Sequence, residues 1–456
     1  MKITRVESFL MSYQMPEPIR LRFWGGERTI LKKDAMLIRI TTDTGLRGYA
    51  PGPAHERADR EIRQTVGPFL IGKDPRPVKN PHLVSHILTP SGISNGVSRR
   101  QKFRFQADQE VMKTYKAVEI ALLDLVARYE GCTLSELLGG RKRDRIKLYG
   151  SAGMYMEPEE YAREANTIID MGFPAYKMRP GMGPEKDLKA VALMREAVGP
   201  DAGLMIDAHT WWRMGDKNYP FETILKLARD MKDYHPTWLE EPLPPDDHAA
   251  YRELRARLDV NPARRRQDGV KLASGEHEPD DAGFHDLISS EAVDYVQMDI
   301  LCQGSISTAQ RIFEGVQKQG LRFAFHSWGT ILEVLTAAQL GVCQPENVVE
   351  WLEYPCYSNE EHPVMYPFPL ADEILSERPE IENGYLVLPD GPGIGIEINE
   401  NVIEKYPFIP GPWSLFQLNS PAETIAVTGD HSLKWVNPAP IVTKLRGCGP
   451  ETRTTL

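Results

Sequence analysis

No apolar run in this 456-residue chain approaches the roughly 20 residues that span a bilayer, which excludes a transmembrane protein. The opening residues carry Lys2, Arg5 and Glu7 and lead into no signal-peptide core, so a cytoplasmic location is expected. Cysteine is scarce: five residues, odd in number, widely spaced and never arranged as CxxC, which argues against a disulfide framework or a zinc knuckle. The HxH and HExxH patterns of histidine-rich zinc sites are missing as well. Basic charge is in deficit, with 54 Lys+Arg against 64 Asp+Glu and a net charge of −10, and nucleic-acid binding needs the opposite balance. Small molecules are therefore the expected partners. With 41% hydrophobic and 26% charged residues, the composition supports a sizeable core in roughly two to four domains, or one large barrel with a companion.

Residues 1–140 mix alternating segments such as Ala35–Ile40 with an amphipathic helix over Tyr115–Tyr129, and predict a compact α+β domain. Residues 141–383 read differently: short apolar runs alternate with helical stretches of about a dozen residues. The strands are expected at Lys147–Ser151, Ala175–Arg179, Gly203–His209, Thr237–Glu241, Lys271–Glu276, Asp294–Asp299, Arg322–His326 and Val348–Glu353. Eight such units suit a closed barrel, although periodicity alone does not separate it from a doubly wound open sheet. The glycines of 391–395 precede a strand rather than open a helix, and so predict a turn instead of a dinucleotide loop. Residues 409–456, rich in proline, predict an arm that packs on a neighbouring subunit.

Buried strands normally end without charge, because an unpaired ion in a barrel mouth costs several kcal/mol. Here Lys177 and Arg179, Asp207 and His209, Glu240, Glu276, Asp299, His326 and Glu353 close successive strands. In a barrel these ends meet at the face that carries active sites. Asp207, Glu240 and Glu276 offer an all-oxygen set suited to a hard cation such as Mg²⁺. A single strand-end carboxylate caps a following helix just as readily, but three in register are hard to explain that way. Lys177 and Arg179 lie two apart, so alternation points both into one cavity, and His209 shares a face with Asp207 for the same reason. Asp299 can fix the tautomer of His326 from the adjacent strand. Without its neighbours, His326 would read rather as a core histidine bonded to backbone.

The motifs Ala121–Asp124, Leu134–Gly140, Tyr176–Arg179, Met205–Asp207, Trp238–Pro242, Gly275–Glu276 and Pro389–Gly395 together resemble the mandelate racemase subgroup of the enolase superfamily, over nearly the whole chain to Phe408. The resemblance implies an α/β fold, a modified (β/α)₇β TIM-type barrel under an N-terminal α+β capping domain, with residues 384–408 returning to the cap. It implies Mg²⁺ on Asp207, Glu240 and Glu276, abstraction of the proton beside a substrate carboxylate, and an ene-diolate held on the metal. By the same resemblance Asp299 and His326 form the basic dyad, Lys177 contacts the substrate carboxylate and Glu353 supports the enolate. Arg179 departs from relatives that carry lysine there, since a guanidinium is a poor proton acceptor.

One good base favours dehydration over racemisation, which needs a base on each face. The expected activity is therefore dehydration of a sugar acid to a 2-keto-3-deoxy acid by a hydro-lyase, with epimerisation or cycloisomerisation as alternatives and a non-catalytic binding protein as the alternative of another class. His209 resembles the acid position of galactonate dehydratases, but His326 can serve as both base and acid. Trp24 and Arg28 lie on an expected lid loop, Arg22–Arg28, and with His277 and Trp211 they are the expected substrate contacts. Glu241 is expected to point away from Glu240 as a supporting partner. A homo-oligomer is expected from the same resemblance.

Overall fold

The computed structural model describes residues 1–79, 109–258, 269–278, 281–301, 306–356 and 366–427. The His82/His86 pair, the basic stretch Arg99–Arg104, Arg264–Arg266 and residues 428–456 lie outside the described residues.

The chain opens with a long antiparallel hairpin, β1 (Ile3–Phe23) and β2 (Gly26–Thr42), followed by β3 (Arg47–Gly52) on the free side of β2. Trp24 and Gly25 form its tip, so the expected lid over Arg22–Arg28 is a hairpin end rather than a loop. A Cβ on Gly25 would lie 2.5 Å from the Met214 carbonyl oxygen, and only glycine permits so close a backbone approach. Helix α1 (Gln109–Glu130) covers the sheet, its apolar face formed by residues such as Val118, Ala121, Leu122 and Leu125.

Next come β4 (Arg145–Met154), α2 (Pro158–Asp170), β5 (Ala175–Arg179), α3 (Pro184–Val198), β6 (Gly203–Asp207), α4 (Phe221–Met231), β7 (Trp238–Glu240) and α5 (His248–Leu258). The series continues with β8 (Leu272–Ser274), α6 (Asp281–Ser289), β9 (Tyr295–Asp299), α7 (Ile306–Gln319), β10 (Arg322–His326), α8 (Ile331–Gly341) and β11 (Val349–Pro355). All neighbouring strands from β4 to β11 are parallel, and β11 pairs with β4 to close the barrel, which settles the choice against an open sheet. Helix α4 shows the usual stripe, burying Phe221, Ile224, Leu225, Ala228 and Met231. Helix α8 is buried on every side because it lies between the barrel and β3 of the cap.

Inside the barrel, Tyr149, Ala175, Met205, Trp238, Ala273, Tyr295, Ala324 and Trp351, one from each strand, form a buried layer in which bulky rings interleave with alanines. This layer is a floor, since small residues opposite large ones fill the barrel's taper without a cavity.

After the barrel, β12 (Ile381–Glu382) and β13 (Tyr385–Val387) form a small hairpin, and β13 runs antiparallel to the start of β4. The chain then crosses to the cap, where Asp124 of α1 accepts the backbone N–H groups of both Tyr49 and Ile394 at 2.8 and 2.7 Å. The 391–395 glycines form turns and Gly393 has φ +73°, as a turn reading requires. The arm expected from residue 409 differs from what forms: β14 (Ser414–Leu418) pairs with β2 and β15 (Glu423–Val427) pairs with β14, extending this chain's own cap sheet. The alternation of Ser414, Phe416 and Leu418 inward with Leu415 and Gln417 outward carries that strand, and the flanking prolines mask it in the sequence.

Candidate active site

The floor layer fixes the site by simple counting. Two residues beyond the floor, alternation returns a side chain to the barrel interior. Lys177 follows Ala175, Asp207 follows Met205, Glu240 follows Trp238, His326 follows Ala324 and Glu353 follows Trp351. Two further on, the same rule brings in Arg179 and Asp299.

Oxygens of Asp207, Glu240 and Glu276 all lie within 4.8 Å of one another, and Asp207 stands in register with Glu240 on the neighbouring parallel strand. Lys177 Nζ stands 2.8 Å from Glu240, 2.9 Å from Glu353 and 3.7 Å from Asp207. Arg179 Nε is 3.0 Å from Asp207, and its Nη2 is 3.3 Å from Glu353. Asp207, Glu240, Glu276, Asp299 and Glu353 thus crowd around Lys177, Arg179 and the His326 imidazole, with His209 and His277 at the edge, and the carboxylates outnumber the Lys and Arg cations among them. An all-oxygen cluster with surplus negative charge fits a hard divalent cation, and the donor set fits Mg²⁺ better than zinc.

His326 Nδ1 lies 2.7 Å from Asp299, and its Nε2 faces Glu276 at 3.1 Å and Glu353 at 3.8 Å. Burial alone would lower the imidazole's pKa, but Glu276, Glu353 and Asp299 outweigh it and hold it well above the ordinary value. Burial would likewise raise Glu353, yet Lys177, His326 and Arg179 pull it down to about 2. The ionised Glu353 accepts hydrogen bonds from the Tyr149 hydroxyl and the Ser327 N–H. Burial raises Glu240 to about 7, with Lys177 opposing.

His209 lies beyond the end of β6, in a tight turn, so strand alternation does not place it; its Nδ1 nonetheless sits 2.6 Å from Asp207. Burial holds it neutral, with a pKa near 3. His277 is bound by Glu241 at 2.7 Å and by Arg213 at 2.8 Å. Glu241 has φ +40°, which breaks the alternation expected to turn it away and brings its carboxylate within reach of Glu276 and His277. Trp24 leans on Tyr219 with its backbone N–H bonded to Gly181 at the barrel mouth. Trp211, expected on the pocket wall, is instead fully buried: its indole N–H donates to Asp187 and its ring stacks on Tyr219, so it supports the Trp24 contact from beneath.

Several neighbours escaped the sequence reading. Gln297, two beyond Tyr295 on β9, lies at the same level as Lys177, Asp207 and Glu240, and neither of its buried amide atoms has a hydrogen-bond partner among the described residues. Counting back from Asp299 would have found it. Trp328, after β10, and Lys33, on β2, meet over the barrel mouth with Nζ 4.2 Å from the ring centroid, and no local signal marks either.

Residues 7–139 match the family model of the mandelate racemase / muconate lactonizing enzyme N-terminal domain, and residues 160–402 match the enolase C-terminal domain-like model. A cap of this kind on a barrel with these strand ends defines an enolase-type enzyme. The chain belongs to the mandelate racemase subgroup of the enolase superfamily. It is 28% identical over 418 residues to a D-galactarolactone cycloisomerase of Agrobacterium fabrum, covering 89% of this chain and 99% of that one. It is 29% identical to an arabinonate dehydratase of Saccharolobus solfataricus, covering 80% and 89%. Among solved structures, a putative mandelate racemase from Bordetella bronchiseptica complexed with 2-oxoglutarate/phosphate is 26% identical with a TM-score of 0.74, covering 90% of this chain and 99% of that one. Among the described residues no helix is long and apolar enough to cross a membrane.

Proposed function

We propose that this enzyme is a Mg²⁺-dependent dehydratase of a sugar acid, giving a 2-keto-3-deoxy acid. The observation that carries the reading is the asymmetry of the bases: His326, braced by Asp299, faces the carboxylate cluster, while across the barrel stand Arg179 and a Lys177 engaged by Glu240 and Glu353. Racemisation needs a proton acceptor on both faces, whereas β-elimination needs one. Asp207, Glu240 and Glu276 would hold the cation, which supplies positive charge to the substrate carboxylate and lowers the cost of removing the neighbouring proton.

Lys177 balances the substrate carboxylate's charge, and His326 in its neutral form, which a cation's charge beside Glu276 would favour, accepts the α-proton at Nε2, its tautomer fixed by Asp299 at Nδ1. The electrons of the broken C–H bond form the C=C bond as the β C–O bond breaks. The hydroxide leaves as water, with its proton from His326 or His209, and the resulting enol becomes the 2-keto-3-deoxy acid. The neutral state of His209 favours return of the proton by His326. Relatives named for gluconate, xylonate and arabinonate support the substrate class.

A second reading, cycloisomerisation, is favoured by the cycloisomerase relatives and uses the same single base. There the departing oxygen belongs to a ring and stays attached, so no water is lost. The same proposal takes the protein as a cytoplasmic homo-oligomer acting on small carboxylates. Proton NMR in D₂O with Mg²⁺ against pooled aldonic and aldaric acids, followed by mass spectrometry, tests it. Loss of an α-proton with a new methylene and loss of one water is expected; chelator should stop the reaction and Mg²⁺ restore it. An isomer of unchanged mass would move the reading to cycloisomerisation, and exchange without elimination to epimerisation.

A further inference from the structure

Above the reacting layer the cap contributes two cations that the reaction as described does not use. Lys33 is 4% exposed and Arg28 6% exposed, both on β2. Strict alternation would put them on opposite faces of the strand. The β1–β2 pairing shifts register between Ile30 and Lys32, however, and both side chains reach the same two indoles. Lys33 Nζ is 4.2 Å from the Trp328 ring centroid and 5.3 Å from that of Trp413, and the Arg28 guanidinium carbon is 5.9 and 5.2 Å from them. Arg28 donates to Ser414 Oγ and contacts Met154 Sδ. Among the described residues neither cation forms an ion pair with a carboxylate, since the adjacent Asp34 is taken by Lys32 and Ser12.

Burying an ammonium and a guanidinium side by side is costly, and aromatic faces recover only part of that cost. Burial, then Arg28 and Arg179, hold the Lys33 ammonium well below its usual pKa with Asp34 opposing, while Tyr155 and Asp207 favour the Arg28 charge, so an anion between the two cations would be stabilised. The pair is also close to the chemistry. Arg179, which binds Asp207 and Glu353, lies 4.9 Å from the same Trp328 ring that Lys33 approaches at 4.2 Å, so the two cap cations border the charged strand ends.

We infer that Lys33 and Arg28, walled by Trp328 and Trp413, bind a second carboxylate at the far end of the substrate, so that the enzyme acts on sugar diacids in preference to monoacids. This rests on the sugar-acid reading of the site and names its substrate class. Each hexarate is compared with the hexonate of the same configuration, with Mg²⁺, by kcat/KM and by calorimetric binding to the His326→Asn variant. The wild type should prefer a diacid, and Lys33→Met should cut kcat/KM for it about ten- to hundredfold, the scale of one charged hydrogen bond, with a far smaller fall for the monoacid. Lys33→Arg should restore most of the preference, which separates charge from folding. A wild type that prefers hexonates, or a Lys33→Met variant that weakens both acids equally, overturns the subsite. If no acid is turned over, the dehydratase reading fails on its own. Calorimetry then still decides the subsite: tighter diacid binding that Lys33→Met abolishes supports it, and absence of that preference overturns it.

Discussion

The barrel mouth and the cap hairpin both deliver charged side chains to one site, but they do so by opposite means. In the barrel, regular strands stand on a common floor, so Lys177, Asp207, Glu240, His326 and Glu353 each emerge two residues beyond it. In the cap, Arg28 and Lys33 converge because the β1–β2 register breaks between them. Regularity suits chemistry, which needs reacting groups held within fractions of an ångström. Irregularity suits selectivity, since a bulged strand can be re-aimed without disturbing the reacting layer.

The largest expected effect breaks the barrel side of this contrast. His326→Asn removes the proposed proton acceptor while keeping a side chain able to bond Asp299, and α-proton exchange in D₂O should fall about a thousandfold or more. Mg²⁺ affinity should stay within a few-fold, because Asp207, Glu240 and Glu276 are untouched. Exchange that persists at wild-type rate would move the base elsewhere, to Lys177 first.

A smaller effect tests how the cap is joined to the rest. Asp124 is fully buried, holds the N–H groups of Tyr49 and Ile394, and pairs with Arg128 at 3.0 Å. One carboxylate thereby fastens β3, α1 and the returning C-terminal segment. Asp124→Ala strands two buried N–H groups and takes one of its two carboxylate partners from Arg128, which keeps Glu397, and should cost about 2–4 kcal/mol in denaturant unfolding. Asp124→Asn keeps one acceptor oxygen and should cost less. A loss below about 1 kcal/mol would show that packing alone holds the junction.

The same contrast explains what was legible in the sequence. The barrel strands stand within a few residues of their expected positions, because all but the first are expected as apolar runs ending in an ionisable residue. The order of Ala324 to His326 or Met205 to Asp207 is local information, readable by alternation. Trp211 was misplaced because a residue in a tight turn obeys no strand period. Lys33, Trp328 and Trp413 were invisible for a deeper reason: they are distant in sequence and meet only through tertiary packing of the cap on the barrel. The β14–β15 hairpin was missed because flanking prolines suggest an arm and its partner strand lies at the other end of the chain.

The smallest effect lies on the barrel rim, where regular structure serves stability alone. His248 at the start of α5 bonds Glu278 through Nε2 at 2.7 Å and Asp286 of α6 through Nδ1 at 2.6 Å. The hydrogen bond to Glu278 raises its pKa from 6.5 to about 9, against burial and with help from Asp286. Because the folded value is the higher one, the stabilisation is fully present below pH 6.5 and fades as pH rises through about 9. Asp286 is largely exposed, so solvent screening reduces the effect to about 1 kcal/mol. His248→Asn should therefore lower the melting temperature by about 1–2 °C at pH 6 and by progressively less towards pH 9. A deficit independent of pH would mean that the imidazole contributes packing rather than charge, and that the rim, unlike the mouth, is indifferent to ionisation.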